Sequence, residues 1–425
     1  MKKFFVFVAA VALSASAVAA EKTALADALD NHFKFYGFIR NYFAFDTYES
    51  KSGTGDLFHY LPVDRSLDAT GVDTNFKNQF RFLAITSRAG VDVSGYRIAG
   101  IDFGAKIEAD FYCLDSNKKV AMLRLRQAFV TVKKSYESGF GWSLKMGQAW
   151  HPLAADLPDI FSLESGCPFN PFSRTPQIAS CFSFGEKWAI DYDLIWQQQY
   201  QSTGPSGATA DYMKYSCIPE QYIGVTYKKG GFLARVAVDI LSLKPRFGYN
   251  DGAQVLDRIT TVSPFVYLQY NKGKFKLKAK SILASAADHV NQMSGYALCD
   301  NSDPNNYKYT PITTTSSWMT LAYGKKFVGA LLLGYSKNLG TSQDIVGGAS
   351  NVYFNANVPN KNLSQMFRLQ PEVTYNLGKF TLGLEYMLTG AQYGDSSKMN
   401  SRALCLEDLH WVFDNRIQAM IKFTF

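Results

Sequence analysis

Apolar and polar residues alternate at every second position through much of this 425-residue chain. In one such run, Trp188, Ile190 and Tyr192 alternate with residues that include Asp191 and Asp193. A period of two sends successive side chains to opposite faces of a β-strand, whereas a helix needs a period of about 3.6. The pattern therefore predicts strands that have one apolar face and one hydrated face.

Short turns and long polar loops alternate between these runs. The segment Asn271-Lys272-Gly273-Lys274 is one of the turns, with a glycine between two alternating runs. The second strand changes its apolar face near Thr86, which predicts a bulge or a shifted register there. In all, the sequence predicts sixteen strands, at residues 33–47, 77–93, 98–113, 121–134, 140–150, 174–184, 186–199, 219–228, 231–243, 260–271, 273–284, 315–325, 327–337, 366–377, 380–389 and 412–425.

Such strands must close into a barrel in a membrane, because lipid offers no hydrogen bonds to a free sheet edge. We therefore predict an all-β fold, a 16-stranded antiparallel transmembrane β-barrel over residues 33–425, with short periplasmic turns and long extracellular loops. A barrel of roughly 16–18 strands encloses an aqueous channel. The alternative is a soluble β-sandwich, which the aromatic last residue, Phe425, and the apparent export leader disfavour.

The first residues have the pattern of an export signal. Two lysines precede an apolar run at 4–13, and small residues that end in Ala19 supply a cleavage site. Residues 1–19 are predicted to be a signal peptide, and residues 20–32 a short periplasmic N-terminal segment. No later segment has the ~18 consecutive apolar residues of a spanning helix. The sequence thus predicts an integral protein of a Gram-negative outer membrane, in contact with its lipid.

Charge and motif content disfavour several other functions. The formal net charge of +8 is too weak and too mixed to indicate nucleic-acid binding. The six cysteines and five histidines show neither CxxC nor HExxH nor another zinc-ligand spacing. We interpret the cysteines as disulfides or inert thiols, and the histidines as ordinary loop residues. No GxSxG motif is present, so the sequence predicts no enzyme, no metal and no cofactor.

Charged residues on the hydrated faces of the strands are the candidates for solute selection, because they project into the channel. Basic residues outnumber acidic ones, which favours small polar solutes that are anionic. The candidates on the first five strands are Arg40, Lys106, Glu108, Arg124, Arg126 and Lys145.

Four lysines lie on one face of the predicted eleventh strand, at positions 274, 276, 278 and 280. They form either a row that conducts anions or a plain hydrated surface near the periplasmic rim. We favour the second interpretation, because rows of this kind are common on wet surfaces.

The loop at 151–173 is the strongest candidate for a constriction. It follows the fifth strand and contains four prolines, which limit its conformational freedom. Its acids, Asp156, Asp159 and Glu164, precede Arg174 at its exit. Folded inward, the acids would face the arginines of the wall and create a transverse field. The alternative is a loop that covers the barrel mouth from outside.

Three segments resemble the DcaP-like trimeric outer-membrane porins and their Bacteroidetes relatives. They are LRLRQAFV at 123–130, MGQAWHP at 146–152 and PFNPFSRTPQI at 168–178, and KIEADF at 106–111 fits the same pattern. The resemblance implies a sixteen-stranded homotrimer, a third loop folded into the lumen and passage of small, often anionic, organic solutes. It also implies pore or loop-anchoring roles for Arg124, Arg126, Gln148, Arg174 and Gln177.

Two features depart from this family. The N-terminal segment is far shorter than the coiled coil of some members, which puts trimerisation through that arm in doubt, and Cys167 and Cys181 bracket the end of the loop. The function predicted is passive diffusion of small polar, anionic solutes through a porin. The alternatives are an outer-membrane binding or adhesion protein that acts through its external loops, and a barrel hydrolase.

Overall fold

The computed structural model describes residues 32–53, 55–113, 120–357 and 361–425. The predicted signal peptide, and all but the last residue of the predicted N-terminal segment at 20–32, lie outside the described residues.

The described chain forms a closed antiparallel barrel of sixteen strands, which confirms the predicted fold. Its wall strands, labelled β1 to β16 in chain order, are Phe33–Asp46, Gln79–Leu83 with Arg88–Ile98, Ile101–Asp110, Arg124–Ser135, Phe140–Trp150, Arg174–Phe184, Trp188–Ile195, Glu220–Lys229, Phe232–Leu243, Ile259–Lys272, Phe275–Ser285, Lys308–Gly324, Phe327–Thr341, Leu363–Leu377, Phe380–Tyr393 and His410–Thr424.

Each wall strand pairs with its neighbour in the chain, and the first strand pairs with the last. Phe38 of β1 lies opposite Thr424 of β16, and the register continues to Asp46 opposite Arg416. The backbone amide of Gly37 also donates to the carbonyl oxygen of Phe425 at 3.3 Å. The ring is therefore closed, and the described sheet leaves no strand edge open to lipid.

Strand β2 consists of two pieces, separated by residues 84–87. Both pieces pair with β1. The interruption contains Thr86, where the sequence predicts an irregularity. The Thr86 hydroxyl accepts a hydrogen bond from Nε of Arg40 at 3.2 Å and donates to the Arg40 carbonyl at 3.3 Å. The irregular segment thus orients an arginine on the neighbouring strand.

The exposure of side chains is the reverse of that in a soluble protein. On β16, Trp411, Phe413 and Ile417 are exposed, whereas Asp414 and Arg416 are buried inside the barrel. The same inversion recurs in part of β10, where Val262 and Val266 are exposed and Thr261 and Ser263 are buried. An apolar outer surface around a polar interior fits a barrel in lipid and does not fit a soluble sandwich.

Short turns and long loops alternate around the barrel. The turn between β10 and β11 has Gly273 at a φ of +62°, a conformation that glycine adopts without strain. The long loops contain the hairpins Ser50–Gly53 with Phe58–Pro62, Thr203–Gly204 with Gly207–Ala208 and Tyr249–Asn250 with Ala253–Gln254, the helix Asp211–Ser216, the paired strands Gly295–Asp300 and Val352–Phe354, and the 3₁₀ turns Asp288–Val290, Gly348–Asn351 and Ser396–Lys398. No helix in the described parts of the chain is long and apolar enough to cross a membrane.

Two of the long loops fill part of the barrel interior. Loop L1 (47–78) and loop L3 (151–173) contribute Phe58 and Phe172, whose rings meet edge to face with centroids 4.9 Å apart. Leu57, Leu153 and Phe169 of the same loops are fully buried. The sequence predicts L1 only as a long polar loop, and its packing inside the barrel differs from that expectation.

Candidate functional site in the barrel lumen

Loop L3 contacts strands that are far from its own two ends in the barrel. It leaves β5 and enters β6, yet its backbone and side chains bind residues of β9, β11 and β14. These partners lie on the inward faces of their strands. The loop therefore runs along the inner wall, across the interior from the strands that carry it.

The three acids of L3 are held by basic residues of the opposite wall. Arg235 of β9 contacts Asp156 at 2.6 Å, and Lys278 of β11 contacts Asp159 at 2.9 Å. Arg368 of β14 lies 3.6 Å from Glu164.

This arrangement differs from the predicted transverse field, in which the three acids face the arginines of the wall from the other side of the lumen. Charges in contact pairs have little field left to project. The carboxylates instead attach the loop to the wall.

The lysine row of β11 serves the same attachment. Nζ of Lys278 donates to the carbonyl of Leu157 at 3.0 Å as well as to Asp159, and Nζ of Lys280 donates to the carbonyl of Leu153. Half of the row is thus engaged with L3, and the prediction of a plain hydrated surface is wrong for Lys278 and Lys280.

Arg368 joins both inner loops to the wall. Its side chain is about 1% exposed, and it donates to the carbonyl of Cys167 at 3.0 Å in L3 and to the carbonyl of Tyr60 at 2.7 Å in L1. Its Nε donates to the hydroxyl of Thr389 on β15 at 3.0 Å. One buried guanidinium therefore holds three segments that are distant in the sequence.

The middle of L3 is fixed through its backbone at Phe161. The Phe161 amide donates to Glu372 of β14 at 2.9 Å, and the Phe161 carbonyl accepts from the hydroxyl of Tyr42 on β1 at 2.7 Å. Gln370 donates to the hydroxyl of Ser162 at 2.7 Å. Hydrogen bonds from two different wall strands leave this part of the loop little freedom.

A cavity of about 360 Å³ lies between L3 and the wall around the first strands. The face that L3 contributes includes Leu157, Ile160 and Phe161 together with hydroxyl groups. Among the charged residues that line it, six are basic and one is acidic. They are Arg40, Arg88, Arg124, Arg126, Arg174 and Lys422, with Asp110 as the acid.

Three of these arginines pair with carboxylates of β3, and Arg88 lies 3.7 Å from Glu108. Arg124 binds Asp110 through two nitrogens, both at 3.0 Å. Arg126 binds Glu108 at 2.7 Å and Asp110 at 2.9 Å. Glu108 thus supports an arginine of the cavity and is not itself part of its lining. Paired guanidiniums of this kind are held in one orientation by geometry as well as charge.

The remaining basic groups leave the cavity with an excess of positive charge. Among the described residues, Arg40, Arg174 and Lys422 form no salt bridge. Arg174 stacks on Trp150, with its guanidinium carbon 4.0 Å from the ring centroid, and donates to the side-chain oxygen of Gln199 at 3.3 Å. Neutral partners orient Arg174 without cancelling its charge.

The other predicted site residues lie around the cavity. Gln148 donates to the carbonyls of Leu125 and Arg126, both at 3.1 Å, and Gln177 donates to the carbonyl of Trp150 at 2.9 Å. These two glutamines hold the backbone that carries the arginines.

Two predicted lysines are not among the residues that line the cavity. Nζ of Lys106 lies 3.0 Å from Oδ1 of Asp92, and Nζ of Lys145 lies 5.7 Å from the ring centroid of Phe129.

Several lining residues are absent from the sequence prediction. Arg88 lies just after the interruption in β2, so the strand parity that selects the other residues does not identify it. Lys422 lies on the inward face of β16, as Arg416 does, so strand parity alone is enough to identify it. Tyr60 and Tyr200 come from loops L1 and 196–219, for which the sequence carries no sign of an inward position.

Comparison with known proteins bears on the fold. No protein-family model matches the chain, and no curated protein matches it in sequence.

Solved structures do match over most of the chain. The outer membrane channel DcaP of Acinetobacter baumannii shares 16% identity, with 92% of this chain and 97% of that chain covered and a TM-score of 0.62. The anion-selective porin from Comamonas acidovorans shares 12% identity, with 92% and 99% covered and a TM-score of 0.51. The trimer form of OmpT, an outer membrane protein of Vibrio cholerae, shares 11% identity, with 92% and 99% covered and a TM-score of 0.50.

The match to DcaP agrees with the resemblance found in the sequence motifs, and the similarity extends to other barrels of this class. The chain therefore has the fold of the outer-membrane porins and channels, and it is an integral β-barrel of the outer membrane.

Proposed function

We propose that this protein is a porin that lets small polar solutes diffuse passively across the outer membrane and prefers anions. The observation that carries the proposal is the ratio of six basic residues to one acidic residue around the lumen cavity. A channel lined by one sign of charge raises the local concentration of the opposite ion. The anion-selective porin among its structural neighbours supports this preference.

In this proposal, loop L3 forms the constriction. Its contacts with β9, β11 and β14 occupy one side of the interior, so that solutes pass on the other side, along the arginines of β1 to β4. A cavity of about 360 Å³ suits solutes of small-metabolite size. Because L3 is held by ion pairs and backbone hydrogen bonds, the constriction keeps a fixed size.

We further propose that the channel is a homotrimer that needs no cofactor and catalyses no reaction. The resemblance to trimeric porins and the trimer form of one structural neighbour support the trimer. The alternative is adhesion or ligand binding through the external loops, and a barrel hydrolase is a weaker one. A barrel that does not conduct ions would favour these alternatives.

The test is single-channel recording of the folded protein in a planar bilayer under a salt gradient. We expect stepwise openings, in groups of three for a trimer, and a reversal potential of the sign that anion selectivity requires. Arg40→Gln with Arg174→Gln should bring the anion-to-cation permeability ratio toward one. Since neither arginine has a salt-bridge partner among the described residues, the double variant leaves no carboxylate without its partner.

The matched control is Lys229→Gln, at the turn end of β8, which removes a positive charge far from the cavity lining. It should leave the reversal potential unchanged. A cation-selective wild type, or equal reversal potentials in the double variant and the wild type, would overturn the anion preference. Absence of conductance from folded protein would overturn the channel itself.

A further inference from the structure

Two histidines and a glutamate meet at the base of loop L3. Nε2 of His151 and Nε2 of His289 each lie 2.8 Å from Oε1 of Glu220. The three side chains are at most 1% exposed. His151 begins L3, Glu220 is the first residue of β8, and His289 lies in the 3₁₀ turn Asp288–Val290 of loop L6 (286–307). Because the three residues are far apart in the sequence, no sequence motif reveals the cluster.

Two further buried carboxyl groups adjoin this cluster. Asp239 lies beside Glu220 on the inward face of the barrel and Asp288 adjoins His289, and both are almost fully buried. Among the described residues, no lysine or arginine forms a salt bridge with Glu220, Asp239 or Asp288. The adjacent carboxyl groups of Asp239 and Glu220 hydrogen-bond with each other, whereas Oδ1 of Asp288 has no hydrogen-bond partner among the described residues. Buried carboxylates without partners are costly, and a bound cation would remove that cost.

The ligand types point to a transition metal. Imidazole nitrogens with a carboxylate oxygen suit Zn²⁺, whereas Ca²⁺ and Mg²⁺ prefer oxygen ligands alone. The ligand atoms of His151, Glu220 and His289 all lie within 4.8 Å of one another. Asp239 lies beside Glu220 but is not among the ligand atoms within this distance. Three protein ligands leave the fourth position of a tetrahedral zinc ion for a water molecule.

We propose that His151, Glu220 and His289 bind one Zn²⁺ ion that ties loop L3 to loop L6. The far end of L3 already binds L6, since the Phe172 amide donates to the Val290 carbonyl at 2.8 Å. The metal would fasten the near end to the same turn. This site is separate from the arginine-lined cavity and does not depend on the proposed anion preference.

Metal binding replaces two hydrogen bonds of His151 with one coordination bond. The Leu153 amide donates to Nδ1 of His151 at 3.2 Å, which places the ring proton on Nε2, facing Glu220. Coordination through Nε2 moves that proton to Nδ1 and breaks the contact with Leu153. Nδ1 of His289 makes no hydrogen bond with the described residues, so His289 has no such contact to lose.

The test uses the full-length folded protein without a histidine tag. It is treated with a chelator, loaded with ZnCl₂, freed of excess metal and analysed by elemental mass spectrometry and thermal unfolding. We expect about one zinc per chain and a rise in melting temperature on loading. His289→Gln should reduce the zinc content about tenfold and abolish the rise, and Glu220→Gln should do the same.

The matched control is His410→Gln, which removes a histidine that pairs with Asp64 at the far side of the barrel and should keep the zinc. Equal zinc content in His289→Gln and the wild type would overturn the site. If neither cluster variant folds, the zinc content of the wild-type protein alone tests the site. Less than about a tenth of an equivalent of zinc per chain would then mean a hydrogen-bonded cluster without metal.

Discussion

Nη1 of Arg235 on β9 lies 2.6 Å from both carboxylate oxygens of Asp156 in loop L3. The pair joins the loop to a strand across the interior. Asp156→Asn should therefore loosen L3 and increase the noise of the open-channel current. Both side chains keep some exposure, 20% and 12%, so a double-mutant cycle with Arg235→Gln should give a coupling of about 1 kcal/mol.

Asp102→Asn is the control for this pair, since Asp102 makes a more exposed salt bridge with Arg97 near the β2–β3 turn. It should leave the current noise as in the wild type. Equal noise in Asp156→Asn and the wild type would mean that the loop does not depend on this contact.

Arg368→Met should be among the most destabilising substitutions on the inner wall. It removes the donor that binds the carbonyls of Cys167 and Tyr60 and leaves the buried Glu164 without its base. Removal of one partner from a buried charged network costs about 3–5 kcal/mol. Urea unfolding in detergent measures the loss, with Arg97→Met as an exposed control. A loss below about 1 kcal/mol would contradict the role of Arg368 as the joint of L1 and L3.

The barrel should become less stable in mild acid because of His59 in loop L1. Burial and the guanidiniums of Arg368, Arg416 and Arg81 lower the pKa of His59 well below its ordinary value. The unfolded chain takes up a proton near pH 6.5 and the folded chain does not, so stability is full above that pH and falls below it by up to about 1.4 kcal/mol per pH unit.

His59→Leu tests this effect, since neither ring nitrogen of His59 makes a hydrogen bond with the described residues. Unfolding free energies measured between pH 7.5 and 5 should fall less steeply in the variant than in the wild type. His410→Leu is the control, and its unfolding free energy should fall between pH 7.5 and 5 as steeply as that of the wild type. Parallel pH profiles for His59→Leu and the wild type would refute the assignment.

The six cysteines, all free thiols in this structure, should differ in their reactivity. Cys217 is exposed, whereas Cys167 in L3 is fully buried and burial raises the pKa of its thiol. Because the thiolate is the reactive form, maleimide should label Cys217 in the folded barrel and Cys167 only after unfolding. Peptide mass spectrometry reads both sites. Early labelling of Cys167 would show that L3 opens readily.

A positive charge on the outer face should be costly, while the same charge inside should not. Val266 lies in the middle of β10 on the exposed apolar face, and Gln269 of the same strand faces the lumen. Val266→Arg should lower the free energy of unfolding in lipid by about 2–4 kcal/mol, and Gln269→Arg by far less. Equal losses would contradict the orientation of this strand.

The positions of the wall strands could be predicted because each strand carries its own alternation. The eleventh strand, predicted at 273–284, is observed as Phe275–Ser285. The strand ends are predicted less accurately. The twelfth strand begins at Lys308, whereas its predicted start is residue 315. Residues 308–314 read KYTPITT and do not alternate between apolar and polar types, so the predicted strand is too short.

The partners of the loop residues could not be predicted, because they depend on the closed barrel. Asp156 and Arg235 are 79 positions apart in sequence, and no local pattern relates them. The sequence nominates the acids of L3 and the arginines of β4 as charged residues that face the lumen, and their role there stays a prediction. Which base each acid binds is decided by the path of the loop, and Phe58 of L1 shows that a segment that looks like an outer loop can pack inside.

The inner wall is divided into two sectors by the position of loop L3. Strands β9 to β14 supply most of the groups that hold the loop, with Tyr42 of β1 as an exception. Strands β1 to β6 supply most of the charges that line the cavity. The two tasks therefore fall on different residues. In the proposed channel, exchange of arginines in one sector would alter which solutes pass, while the contacts of L3 in the other sector would preserve the diameter of the opening.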